Sequence, residues 1–408
     1  MRLSHRSITT LILLSSLGCL TALVVLTRAL WIPQSVFPQV PFWNVALLQT
    51  KSVQVAALGA CGLGGVLIAS RALFEKPATA TAGVVLVLLA FFVLVAGDQH
   101  RLQPWLLHLT GVLTICVLCP DPRRCLRWLT AGIYFHSAAS RLDYSFLFGG
   151  GDYLLNGLLN VLGAASERWP DGLIFAATLF LPLGELLVAV LLLRRDGLSG
   201  WRLAACMHVV LLLALGPLGL NHAPPVLVWN LFFLVQALVL PAAPRADGSV
   251  SDAPALPVLI VVCLVGLPFF NWEPFHVYDH WPAWSLYASR GEKVVIEIHI
   301  DAAPRLDANV ALHLAEPPPF SDWQQLRVDR WSLAAVNAPI YPEDRFWLGV
   351  AIQLAHEYDL RNKIRVRIQT VANRLSGQRG LIELNGTAAI EDFAAKFWLN
   401  ASPTESVR

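Results

Sequence analysis

Three short stretches of this chain hold side chains that can move protons or bind oxygen. The segment YFHSAASRLDYSF, residues 134–146, carries His136, Arg141 and Asp143. The segment GDQHRLQPW, residues 97–105, carries Asp98, His100 and Arg101, and His108 follows one turn later. His222 stands alone after Asn221, and Asp279 and His280 close the run FHVYDH. A histidine is the side chain whose charge changes near neutral pH, so His136 is a candidate base. Arginine stays protonated and offers a planar fork of donors, so Arg141 is a candidate for holding an anion or a polarised oxygen. Asp143 would then orient Arg141. Asp98, His100, Arg101, His108, His222, Asp279 and His280 form the candidate ligand-binding set. His136, Ser140 and Asp143 follow helical spacing and would share one face.

These groups matter because their surroundings are apolar. The chain has 408 residues, 56% of them hydrophobic and only 14% charged. Soluble domains carry about 25% charge, so an ordinary cytosolic enzyme and a disordered chain are both excluded. The net charge of +2 provides no field to attract nucleic acid. Seven scattered cysteines do not make a disulfide framework.

The scarcity of charge is uneven. Residues 1–270 hold 27 charged positions, or 10%, and residues 271–408 hold 31 of 138, or about 22%. The expected fold is therefore an α-helical multi-pass membrane bundle followed by an α+β soluble domain. Its parts are a transmembrane domain at 1–270, an aromatic interfacial connector at 271–290 and an extracytoplasmic domain at 291–408. A spanning helix needs roughly 17–25 apolar residues. About nine transmembrane helices fit: 8–31, 52–70, 78–97, 104–120, 127–148, 172–193, 203–220, 224–241 and 255–270. The stretch 241–257 reads as a flexible loop.

Lysines and arginines gather on the cytoplasmic side of membrane proteins. With the N-terminus inside, eleven lie inside (Arg2, Arg6, Arg71, Lys76, Arg123, Arg124, Arg127, Arg194, Arg195, Arg202 and Arg245) and five outside. Nine spans then place the C-terminal domain outside, at a bacterial inner (plasma) membrane. Alternation at Val294, Ile296, Ile298 and Ile300, and again at Ile364, Val366 and Ile368, predicts strands. Residues 379–386 could pair as a hairpin, and 343–357 and 389–399 read as helices.

In this topology the polar groups surround one outward vestibule, roofed by the soluble domain. Each also has a structural reading. Asp98, His100 and Arg101 fit a solvated loop, and Arg141 and Asp143 fit an interfacial ion pair. Glu185, deep in a span, fits a partner of His208 or Arg141. Trp272, Trp281 and Trp284 fit an interfacial anchor. Cys116 and Cys119 form a CxxC that supports thiol exchange when exposed, which keeps a DoxX/MauE-like redox-associated membrane protein as an alternative.

The segment YFHSAASRLD, residues 134–143, resembles the YFxAGxKKLD segment of vitamin K-dependent γ-carboxylase, in the horizontally transferred transmembrane (HTTM) group. HWPAWSLYASRGEKVVIEIHI, residues 280–300, is similar to the W-x-x-x-LYxxS stretch that enters that enzyme's lumenal domain. The resemblance implies an inside N-terminus, about nine helices and an outside β-containing domain. It also implies a small apolar or quinone-like ligand. Ser140 and Arg141 stand where the family motif has its lysine pair, and none of the five lysines lies within a span. Carboxylation through a lysine base is therefore not expected. The remaining alternative is a non-enzymatic anchor that scaffolds a periplasmic interaction domain for a protein partner.

Overall fold

In the computed structural model the described residues are 4–32, 36–74, 77–194, 197–242, 255–273 and 275–404. The stretch 241–257 lies mostly outside them, as do Arg2, Lys76, Arg195 and Arg245. Along the chain run α1 (His5–Leu26), α2 (Arg28–Trp31), α3 (Ala46–Gln49), α4 (Lys51–Phe74), α5 (Pro77–Ala96), α6 (Pro104–Leu118), α7 (Arg123–Arg141), α8 (Gly151–Val161), α9 (Asp171–Leu193), α10 (Leu198–Leu215), α11 (Pro224–Val239) and α12 (Ala255–Gly266). Then come β1 (Lys293–His299), α13 (Ala308–Ala311), β2 (Trp323–Leu326), α14 (Val328–Val336), α15 (Asp344–Glu357), β3 (Ile364–Gln369), β4 (Leu381–Asn385) and α16 (Gly386–Ala394).

Six helices, α1, α4, α5, α9, α10 and α11, are long and apolar enough to cross a membrane. A bilayer core gives the backbone no hydrogen-bonding partner, so a helix is the conformation such a segment must take. The apolar helices α6 and α12 are shorter. Three expected spans are interrupted. The first breaks at Thr27, outside helical geometry at φ −104° and ψ 26°. The fifth breaks after Arg141, because Leu142 has ψ 67°; the chain re-enters a wide helical turn at Phe146–Gly150 and then α8, which lies beyond the expected span. The seventh ends at Leu215, because Gly216 turns to extended backbone.

The chain divides into two compact units. One comprises Met1–Leu26, Cys61–Leu88 and Pro104–Arg290; the other comprises Thr27–Ala60, Leu89–Gln103 and Gly291–Arg408. In the first, Gly64 and Gly83 let α4 and α5 meet backbone to backbone. A Cβ on either would sit 2.7 Å from the other's carbonyl oxygen. Small residues permit such close crossings between membrane helices.

The same unit buries a polar stripe on α7. Thr130, Tyr134, Ser137 and Arg141 recur at helical spacing, and each finds a partner. Thr130 Oγ1 accepts from Gln236 Nε2 at 3.1 Å. Asn230 Nδ2 donates to the Val226 carbonyl, which turns its Oδ1 toward His208 Nδ1 at 3.0 Å. His208 therefore carries its proton on Nδ1 and accepts from the Tyr134 hydroxyl at Nε2, 2.7 Å away. A buried polar group without such partners costs several kcal/mol, on the order of 2–7.

In the second unit the sheet is antiparallel, in the order β2-β1-β3-β4. Ile296 pairs with Leu326 and with Val366, and Val366 pairs with Leu384. These residues are buried on one face, the side to which α15 and α16 belong. The other face is polar: Glu297 is held between Arg365 Nε at 2.6 Å and Arg367 Nη2 at 2.7 Å. Beside the sheet the chain's end is strapped to residues 39–42. Asn400 N donates to the Phe42 carbonyl at 3.2 Å, and Thr404 N to that of Gln39 at 2.9 Å. Gly349 is needed here because a Cβ would lie 2.5 Å from Val40 Cγ2 and 3.1 Å from the Ala401 carbonyl.

Candidate functional site

The polar residues singled out from the sequence fall into both units, and most are fully engaged. In the second unit, Asp98, His100 and Arg101 occupy a short 3₁₀ turn that is buried, not solvated. Asp98 caps the turn by accepting from His100 N at 3.1 Å. Arg101 donates from Nε to the Leu30 carbonyl at 2.9 Å, from Nη1 to Leu94 at 3.1 Å and from Nη2 to Gln54 Oε1 at 2.9 Å. Leu30 and Leu94 lie in the last turns of α2 and α5, where backbone carbonyls lose their helical partners. Arg101 thus ties two helix ends to α4, with the Asp98 carboxylate 3.9 Å away. His100 Nε2 meets the Pro339 carbonyl at 2.8 Å, and its ring packs near Phe37 and Phe346. Burial pushes Asp98 up to about 6 against the opposing pull of Arg101. Burial likewise pushes His100 down to about 4. The geometry of these three residues is that of a strut.

The other candidates lie in the first unit. Trp229 Nε1 donates to His108 Nδ1 at 3.1 Å, so the His108 proton is on Nε2. Phe233 is stacked between the His108 ring at 4.4 Å and the His208 ring at 4.8 Å. His136 donates from Nε2 to the Val265 carbonyl at 2.8 Å, and Trp284 Nε1 donates to that of Leu264 at 2.7 Å. Both close the C-terminal turn of α12, where carbonyls are otherwise orphaned. His136 keeps an unprotonated Nδ1 with no partner among the described residues, and Phe269 and Trp272 present edges to its ring.

Arg141 leaves α7 on another side. Five residues at about 100° each separate it from His136 by about 140° around the axis. Its Nε donates to the Ser137 carbonyl and its Nη2 to Ser137 Oγ, both at 3.0 Å, and Nη2 also pairs with Glu185 of α9. Of the two partners considered for Glu185, the structure selects Arg141. The Arg141 side chain is 4% exposed, and no acceptor among the described residues engages its Nη1. Asp143, beyond the helix break, no longer continues the face of His136 and Ser140. Its Oδ1 accepts from Phe146 N at 3.1 Å and caps the next turn.

Around this ion pair lies a group that sequence reasoning did not assemble. Tyr287 is within electrostatic reach of Arg141 and of Tyr153. Tyr153 Oη lies 3.3 Å from His222 Nε2, and the His222 ring meets Tyr287 edge-on at 5.9 Å. Tyr153 is 51% and Tyr287 42% exposed, so the group leads from a buried charge to an exposed surface. Burial pushes His222 below its ordinary range. Left-handed backbone clusters nearby: Asn221 at φ 51°, Trp284 at 58° and Tyr287 at 56°. Bulky side chains adopt this geometry only when their surroundings enforce it. A clue was present in the glycine run FGGGDY, which ends in Tyr153. Gly150 approaches Ser289 so closely that a Cβ would lie 1.7 Å from its Oγ.

Asp279 and His280 are partly buried in the connector. Their backbone carbonyls accept from Ala283 N at 3.0 Å and Ser285 N at 2.9 Å. Cys116 and Cys119 are buried, and Cys119 Sγ contacts the Asp121 carbonyl at 3.1 Å. Among the described residues no group of three or more His, Cys, Asp or Glu side chains is placed to hold a metal ion. No family model, curated protein or solved structure matches the chain.

Proposed function

We propose that this chain is an HTTM-like integral membrane protein of nine spans, with its N-terminus in the cytoplasm. Its outward-facing site binds an apolar, quinone-like ligand by an acceptor oxygen. The six long apolar helices and the lysine and arginine bias support the topology. With α6, α7 and α12 added, nine helices cross, and residues 291–408 stand outside.

The observation that carries the binding assignment is Arg141. Its Nε and Nη2 are committed to Ser137 and Glu185, which leaves Nη1 to offer two N–H donors. A carbonyl or phenolic oxygen of a ligand completes the set. Tyr153, His222 and Tyr287 form the polar rim, and the surrounding helices provide the apolar wall. Binding, not chemistry, is the role this geometry favours, because His136 departs from α7 on a different side and serves as a helix cap.

The test is mass spectrometry of molecules retained through purification in mild detergent. Arg141→Gln with Glu185→Gln removes both charges together, so no buried carboxylate is left unpaired. Hydrogen bonds to a charged donor contribute about 1.5–3 kcal/mol, so retention of a quinone-class molecule should fall at least roughly tenfold. If the folded double variant retains as much as the parent chain, or the parent retains none, the assignment is wrong.

A further inference from the structure

We propose that the segment Phe393–Leu399 is a second membrane contact: it seats on the lipid headgroups of the leaflet at which α5 ends. The inference rests on the second unit alone and does not depend on the ligand at Arg141.

One tryptophan of this unit stands exposed where burial is normal. Trp398 is 86% exposed, although tryptophan is usually well buried in a fold. It lies in the sequence FAAKFWLN, with Lys396 on the same short stretch. Tryptophan and lysine together suit the membrane–water boundary, where the ring meets acyl chains and the cation meets phosphate. Exposure by itself would not say what covers this surface, but the hydrogen bonds do.

Ala96 is the last residue of a membrane-length helix. Its carbonyl accepts from Phe42 N at 3.0 Å, and the Phe42 carbonyl accepts from Asn400 N at 3.2 Å. Asn400 Nδ2 donates to the Pro41 carbonyl at 2.9 Å, and Gln99 Nε2 donates to the carbonyls of Pro41 at 3.0 Å and Asn400 at 2.7 Å. Asn400 is thus two hydrogen-bonded chain steps, roughly 10 Å, from the end of the span. That distance is of the same order as the headgroup layer, about 5–8 Å per leaflet. Trp398 is two residues away. Trp43, beside the strapped segment, is 45% exposed and packs against Phe92 on α5 at 6.1 Å, which continues the lipid-facing surface upward from the span. Lys51 begins α4 at the same end of the unit and is exposed. The occupant that fits an aromatic and cationic edge continuous with a span is the phospholipid surface itself.

The test uses the full chain labelled with 5-fluorotryptophan, in nanodiscs of phosphatidylcholine with phosphatidylglycerol. The fluorine resonance lost in Trp398→Phe, or in Trp398→Tyr if the first variant fails to fold, is that of Trp398. Lipids spin-labelled near the headgroup should broaden this line at least twofold more than a water-soluble gadolinium chelate does. Stronger broadening by the chelate means that Trp398 is in water and overturns the proposal. A line broadened by neither means that protein covers it, which overturns the proposal equally.

Discussion

Replacing Arg101 by methionine tests whether the most buried cation of the second unit is a strut or a ligand-binding group. Methionine keeps most of the stem volume and removes every donor. Three acceptors then lose their partner: the carbonyls of Leu30 and Leu94 and Oε1 of Gln54. Each unsatisfied buried acceptor costs about 1–3 kcal/mol, and neighbouring losses are not fully additive. The loss of Arg101 also removes the positive charge near Asp98. That carboxyl is already pushed up to about 6 by burial, so it takes up a proton near neutral pH and limits the added cost. The net expectation is a loss of about 3 kcal/mol or more, a large effect for one substitution. For a unit of this size that is a fall of at least about 6 °C in Tm. Arg101→Lys supplies one point charge in place of a fork and should recover only part of the loss. Thermal unfolding in nanodiscs, with hydrogen exchange at 28–31 and 94–101, provides the readout. If Arg101→Met unfolds within about 0.5 kcal/mol of the parent, with exchange unchanged, the strut argument is refuted. A ligand-binding arginine would behave in that way, because functional sites are often held at a cost in stability.

Two further predictions concern pH and packing. Asp98 is raised from 3.8 to about 6, so its contribution to stability is full below about 4 and is lost as pH rises through 6. His100 is lowered from 6.5 to about 4, so its contribution is present above 6.5 and is lost as pH falls through 4. The two slopes oppose each other between pH 4 and 6.5. Asp98→Asn should therefore make the second unit lose stability more steeply on acidification, and His100→Gln should make it gain; parallel pH–Tm curves for both variants and the parent would contradict this. Gly83→Ala drives a Cβ to 2.7 Å from the Gly64 carbonyl oxygen, which is backbone and cannot rotate away. It should cost about 1–3 kcal/mol in thermal unfolding, and an unchanged midpoint would show that α4 and α5 do not meet as described.

Much of the architecture was legible because hydropathy and charge act locally. Twenty apolar residues with no backbone partner in lipid must be helical wherever they sit, and alternation locates β3 and β1, although β1 ends at His299 and Ile300 already begins a 3₁₀ turn. The interruptions at Thr27, Leu142 and Gly216 were not legible, because one backbone angle ends a helix without changing the apolar count. α8 went unread because it lies between the fifth and sixth expected spans and is too short, at 11 residues, to register as one. The four-residue β2 is too short to show a period.

The sequence by itself determined that charges are scarce before residue 270, and so that His136, Arg141, Arg101 and Glu185 are the side chains to ask about. Their roles were decided by tertiary structure, because a buried polar group is defined by its partner and the partners are distant in the chain. Arg101 reaches 71 residues to Leu30, His136 reaches 129 to Val265 and Arg141 reaches 44 to Glu185. Only the folded chain shows that the first two tie helix ends, with every guanidinium nitrogen of Arg101 engaged, while Arg141 leaves Nη1 unengaged among the described residues.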